Sequence, residues 1–178
     1  MPFELGSAVS GAITIPSPRL ERLGPLLLTG IMRRHDCSRE TYAIAQAIGR
    51  QWSDYMIRRV APPWTPKPWR FGITMRMADG DTEMEYFCAA PPPVPPEPRP
   101  GFVDWTLAAL TFAVFPFDGH ILEFRDFIHT VFGTALSQSG LGLAPDGPGV
   151  PEFIERYGVT FNPLTGKGGF ELLVPVQD

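Results

Sequence analysis

Glu155 and Tyr157 stand two residues apart in Phe153-Ile154-Glu155-Arg156-Tyr157-Gly158-Val159-Thr160-Phe161. Read as a strand, the odd positions Phe153, Glu155, Tyr157, Val159 and Phe161 share one face. That face is apolar or aromatic apart from one carboxylate. A charge turned inward costs several kcal/mol unless something compensates it. A cationic ligand is one such compensation. An ordinary alternative is that the face meets solvent, or that an internal arginine such as Arg76 pairs with Glu155. In an apolar cavity the carboxylate pKa should rise, which suits either attraction of a cation or general-base chemistry near neutral pH.

Aromatic side chains serve both chemistries. Trp52, Tyr55, Phe71, Tyr86, Phe132 and Tyr157 could stack on a planar ligand or face a cation, at roughly 0.5–2 kcal/mol per contact. Trp52 is singled out among them because its indole N–H needs a polar partner. Phe115 and Phe127 read as plain core. His35, His120 and His129 lie in a loop, at a helix start and in a helix, without metal-ligand spacing, so neither metal nor cofactor is expected. Gly166-Lys167-Gly168-Gly169 links two strands and reads as a hairpin turn, not a phosphate loop.

The elements that would position these residues are readable from periodicity. Leu26 to Met32 is an apolar run and predicts a buried strand. Ser38 is expected to cap a helix from about Arg39 to Arg59, with Ala45, Ile48, Trp52, Tyr55 and Met56 on its inner stripe. Pro62, Pro63, Pro66 and Pro68 end it and impose an extended loop. Trp69 to Met77 and Glu83 to Ala90 alternate as strands around an Asp79-Gly80 turn. The second half repeats the order. Leu107 to Phe115 predicts a central strand, Asp118 or Gly119 opens a helix to about Ser137, and the Glu155 strand and Phe170–Val176 follow. The segment from residue 91 to 100 holds seven prolines and reads as a stiff connector.

These readings give an α+β fold built as a pseudo-twofold tandem β-α-β-β repeat, with antiparallel sheets and two helices flanking a central ligand groove. Residues 1–22 are expected to be a loosely held arm. Residues 23–178 form one domain of two halves, 23–90 and 101–178, joined by the connector 91–100.

The 178-residue chain is 44% hydrophobic and 19% charged, a globular composition. A net charge of −4 argues against a nucleic-acid surface. No signal peptide is visible and no apolar run is long enough to span a bilayer, so a cytoplasmic protein without membrane contact is expected. Cys37 and Cys88 read as free thiols.

The motifs in the last third resemble those of a known family. Ile154-Glu155-Arg156-Tyr157, Phe161-Asn162-Pro163, Thr165-Gly166-Lys167-Gly168 and Phe170-Glu171-Leu172-Leu173-Val174-Pro175-Val176 are similar to the C-terminal motif of the gyrase-inhibitor-like (GyrI-like) effector-binding domains. Those domains also form the C-termini of multidrug-responsive and AraC-type regulators. Leu110 to Phe115, Gly101-Phe102, Thr29-Gly30, Gln51-Trp52 and Phe71-Gly72-Ile73 match further positions, so the resemblance runs from Leu23 to Val176. It implies that Glu155 is the pocket glutamate that meets lipophilic cations, with Tyr157 beside it. Some stand-alone members resemble hydrolases that open cyclopropane rings with a Glu and a Tyr. Here Phe112 stands where the family usually has a tyrosine, and Ile154 where it usually has a phenylalanine, so one hydroxyl is missing.

Three functions follow as expectations. The first is a stand-alone protein that captures a lipophilic, cationic or planar small molecule. The second is a hydrolase detoxifying an electrophilic natural product, with Glu155 as general base and Tyr157 orienting water or substrate. The third is a protein-partner role, on a topoisomerase or beside a separate regulator. No helix-turn-helix precedes the domain, so a self-sufficient transcription factor is not expected.

Overall fold

The computed structural model describes residues 15–38, 40–59, 69–94 and 97–177. One eight-stranded antiparallel sheet carries the fold, in the order β1-β6-β8-β7-β3-β4-β2-β5. The strands are β1 (Arg19–Leu23), β2 (Leu26–Asp36), β3 (Arg70–Met75), β4 (Glu83–Ala90), β5 (Val103–Leu107), β6 (Leu110–Phe117), β7 (Pro151–Tyr157) and β8 (Phe170–Val176). Helix α1 spans Thr41–Arg58. A second helical segment runs through a 3-10 turn (Ile121–Glu123), α2 (Phe124–Thr130), a π turn (Val131–Ala135) and α3 (Leu136–Gln138).

The sheet cannot be flat. β5 and β6 lie six strand spacings apart in the order, which in a flat sheet would be about 29 Å. Yet Leu107 and Leu110 bound a turn that spans at most about 11 Å. The sheet therefore curls until its ends approach. Inside the curl lies a core of Leu28, Phe71, Ile73, Phe87, Leu107, Phe112, Val114, Ile154 and Leu173. The other face is covered by the helices. Phe115, Phe170, Leu172 and Val174 pack against Phe124, Phe127 and Val131 there, while Ile31, Tyr86 and Cys88 pack against α1 through Tyr55.

Several expectations are corrected. The run from Leu107 to Phe115 is two strands, because Ala108-Ala109 make the turn that lets the curl close. Both flanking segments feed the same core, so the apolar run shows no break. Arg19 to Arg22, assigned to the loose arm, belong with Leu23 to the edge strand β1, which pairs with β6; residues 1–14 lie outside those described. Ser38 does not cap α1. Its amide and hydroxyl both bind Asp36 Oδ1, at 2.9 and 2.5 Å, and Glu40 takes the cap position. Of the stripe expected on α1, Ile48, Trp52, Tyr55 and Met56 do pack against the sheet, with Gln51 fully buried among them, but Ala45 is exposed. The second helical segment is opened by His120, whose Nδ1 accepts from Leu122 N at 3.1 Å while Glu123 accepts from His120 N at 3.0 Å. His35 lies in β2, not a loop, and is buried. β7 ends at Tyr157, since Gly158 N turns to Gly169 O and Phe161 N closes on Gly158 O. The prolines from 62 to 68 lie outside the described residues. Cys37 and Cys88 are both free.

Candidate functional site

Glu155 sits on the helix-covered face of β7, paired with Gly72 on β3 and Leu172 on β8. Its side chain is only partly accessible. Two hydroxyls hold one oxygen: Tyr86 and Tyr157 each donate to Oε2 at 2.6 Å. Trp52 Nε1, on α1, donates to the Tyr86 hydroxyl at 3.1 Å. Four side chains from two strands and one helix thus form a network whose two branches, Trp52–Tyr86 and Tyr157, end on one carboxylate oxygen.

Local sequence explains how Tyr86 reaches Glu155. β3 runs between β4 and β7, and Tyr86 must cross it. Gly72 is the residue crossed. A Cβ there would overlap the Tyr86 hydroxyl and lie 2.8 Å from Glu155 Oε2. The lone glycine in an otherwise β-forming strand is therefore the gap through which the bond passes.

Among the described residues, every donor to Glu155 is neutral. Burial pushes its carboxyl pKa up, against the opposing pull of the Tyr157 and Tyr86 hydrogen bonds. The same burial, together with the Glu155 charge, drives both tyrosine hydroxyls well above their ordinary value, so they remain protonated donors. No arginine pairs with Glu155 among the described residues. Arg76, the internal partner weighed from the sequence, turns elsewhere: it binds Asp146, donates to Ala144 O at 2.7 Å and lies 3.8 Å from Glu152.

A cavity of about 450 Å³ opens next to this cluster. Gly49, Trp52, Ser53 and Met56 of α1 form one wall, and Arg70 and Tyr157 form the floor. Ile121, Phe161 and Pro163 close the far side. Trp52 meets Tyr157 edge-to-face, with ring centroids 5.5 Å apart, and Tyr157 lies 4.8 Å from the Phe161 ring. Glu155 stands behind the Tyr157 and Trp52 wall, one hydrogen bond from the cavity.

The residues singled out in the sequence fall into different places. Trp52 and Tyr157 line the cavity, while Glu155 and Tyr86 join it through hydrogen bonds. Tyr55 is buried beneath α1 and stacked on Phe102 at 5.8 Å. Phe132 packs on Phe153, 5.9 Å away, within the second helix's core. Phe71 is on the opposite face of the sheet, inside the curl, because its neighbour Gly72 takes the site face. Met56, Arg70 and Phe161 were not singled out. Phe161 carried a signal, since it sits in the same aromatic segment as Tyr157. Arg70 carried none, as a single arginine at a strand start.

Among the described residues no group of histidine, cysteine and acidic side chains is placed to hold a metal ion. No helix among them is long and apolar enough to cross a membrane.

No family model matches the sequence, and no curated protein matches it. Solved structures do. SAV2435, in a structure bound to tetraphenylphosphonium, aligns at TM-score 0.65 and 18% identity, over 91% of this chain and 94% of its own. The integron cassette protein VCH_CASS2, from the mobile metagenome of Vibrio cholerae, aligns at 0.64 and 14%, over 92% and 97%. The C-terminal domain of EcmrR aligns at 0.56 and 13%, over 90% and 96%. At these identities the likeness is one of fold, and the chain shares its curled α+β architecture with all three.

Proposed function

We propose that this protein is a GyrI-like small-molecule-binding domain that captures a lipophilic cation in the cavity between α1 and the Phe161 loop. The observation that carries the reading is a carboxylate that, among the described residues, is held only by neutral donors, directly behind an aromatic wall. Strand order supports the duplicated β-α-β-β reading: β6-β8-β7 from the second half abuts β3-β4-β2 from the first, with β1 and β5 added at the edges. SAV2435, of the same fold, was solved with a cationic aromatic compound.

Aromatic area and charge divide the work. Trp52, Tyr157 and Phe161 supply faces for stacking or cation–π contact. Glu155 supplies the field. Across one tyrosine ring, roughly 7 Å, at an effective dielectric near 20, a carboxylate attracts a cation by about 2 kcal/mol. That corresponds to about thirtyfold in affinity. A cation in turn relieves the cost of an ionised, buried Glu155, so ligand and carboxylate stabilise each other.

The test is titration with tetraphenylphosphonium, followed by calorimetry and by quenching of tryptophan fluorescence, with neutral triphenylphosphine oxide as the comparison. We expect saturable binding of the cation and weak binding of the neutral compound. Glu155→Gln should lower cation affinity about ten- to thirtyfold and leave the neutral compound unaffected. Absence of saturable binding for tetraphenylphosphonium and for a panel of cationic dyes would remove the reading. Unchanged cation affinity in Glu155→Gln would remove its electrostatic part.

A further inference from the structure

Among the described residues, the one charged side chain that lines the cavity is a cation. Arg70 opens β3, pairs with Tyr157 across the sheet and is 8% exposed. Its polar atoms are poorly served. Nη1 donates to the Met56 thioether at 3.2 Å, a weak acceptor, and the buried Nε has no hydrogen-bond partner among the described residues. Arg156 shows what a comparably buried arginine of this fold ordinarily receives. At 6% exposed, it makes bonds of 2.6–2.9 Å to two carboxylates, Glu21 and Glu171. No carboxylate pairs with Arg70 among the described residues, and the preceding segment, residues 60–68, reads Val-Ala-Pro-Pro-Trp-Thr-Pro-Lys-Pro, without an acid.

Arg70 and Glu155 are diagonal neighbours on one face, since Arg70 pairs with Tyr157 and Gly72 with Glu155. Their Cβ atoms should be about 7–8 Å apart or somewhat less. The two long side chains nonetheless diverge. Glu155 turns to Tyr86 and Tyr157, and Arg70 turns to Met56 and the cavity. The site thus keeps a negative and a positive group apart, each without an ionic partner among the described residues, along one apolar wall. A purely cationic ligand would answer the first and be repelled by the second. A molecule bearing both charges answers both.

We propose that the cavity is built for a lipophilic zwitterion: an aromatic body whose cationic part faces Glu155 and whose carboxylate, or similar anionic group, is received by Arg70. This rests on the cation-binding reading and adds the anionic half. Burial and the nearby Arg59 lower the Arg70 pKa, as expected for a guanidinium without a counter-ion.

The xanthene dyes rhodamine 110 and rhodamine 123 test it directly. They differ only in that the first carries a free carboxylate and the second its methyl ester, while the cationic ring system is shared. Fluorescence anisotropy at pH 7.5 should show rhodamine 110 bound about tenfold more tightly. Arg70→Met should abolish that preference by weakening rhodamine 110 alone. Arg70→Lys, which keeps the charge but loses the planar fork, should retain part of it. Circular dichroism and thermal melting establish that the variants are folded. An ester bound as tightly as the acid by the native protein overturns the proposal and leaves the cation reading standing. So does a preference that survives in Arg70→Met while both variants remain folded. If neither dye binds the native protein, both readings fall together.

Discussion

Gly72 is the residue on which the site geometry turns. Its missing side chain lets the Tyr86 hydroxyl cross β3 and reach Glu155. In Gly72→Ala the added methyl group and the hydroxyl cannot share that space, so Tyr86 must move and the carboxylate loses a donor. Overpacking of this kind costs about 1–3 kcal/mol. Urea denaturation should show that loss, and tetraphenylphosphonium affinity should change with it. A Gly72→Ala protein as stable as the native one would mean that Tyr86 relocates freely and that the bond is incidental. That Glu155 shares a face with Tyr157 was legible from the sequence, because strand alternation groups residues by face, but whether that face met solvent was left open. The role of Gly72 was not, because a glycine in a strand announces only a close approach and does not say of what. Arg70 was equally silent: its significance lies in the partners it lacks, and periodicity carries no information about partners.

At the scale of elements, α1 must be fixed on the sheet for Trp52 to meet Tyr86. Gln51, the residue before it, does this. The fully buried side chain donates from Nε2 to Ile31 O on β2 and Tyr86 O on β4, both at 2.8 Å, while its Oε1 meets His35 Nε2 at 2.7 Å. Gln51→Leu should cost about 1–3 kcal/mol, because polar groups of β2 and β4 are left buried without that partner. The same variant should weaken ligand binding, since Trp52 is carried by the loosened helix. Chemical denaturation checks the first effect and dye titration the second; an unchanged melting curve would show that apolar contacts alone seat α1. The interior strands and both helical segments could be read from the chain, because burial on one stripe or on two faces leaves long apolar patterns. The edge strands could not. β1 reads Arg-Leu-Glu-Arg-Leu, which resembles a solvated arm until Arg156 is seen to clamp Glu21 with two bonds, at 2.8 and 2.9 Å. β5 merged with β6 because a two-alanine turn has no glycine or proline to mark it.

Across the whole molecule, two carboxylates give the stability opposite dependences on pH. The Arg156 hydrogen bond, the largest influence on Glu21, holds its pKa below the ordinary 4.5. Its contribution is therefore present above that value and is lost as pH falls through the lowered folded-state pKa. Glu155 behaves in the opposite sense. Burial raises its folded-state pKa above 4.5, so its contribution is complete below 4.5 and is lost as pH rises through the raised value. The native protein should accordingly lose stability at both ends, by breaking the clamp in acid and by ionising a buried carboxylate on the basic side. Glu155→Gln keeps an oxygen for the two tyrosine donors and removes the second loss. Its Tm should exceed that of the native protein by a few degrees at pH 8, with the gap narrowing steadily towards pH 4.5. Saturating tetraphenylphosphonium should close the same gap from the other direction, because it stabilises the ionised native site and has no charge to answer in the variant. Thermal melts at half-unit pH steps, with and without the cation, measure both effects. A gap that does not vary with pH would mean that Glu155 is already satisfied in the folded protein, and the case for a cation behind Tyr157 would fail with it.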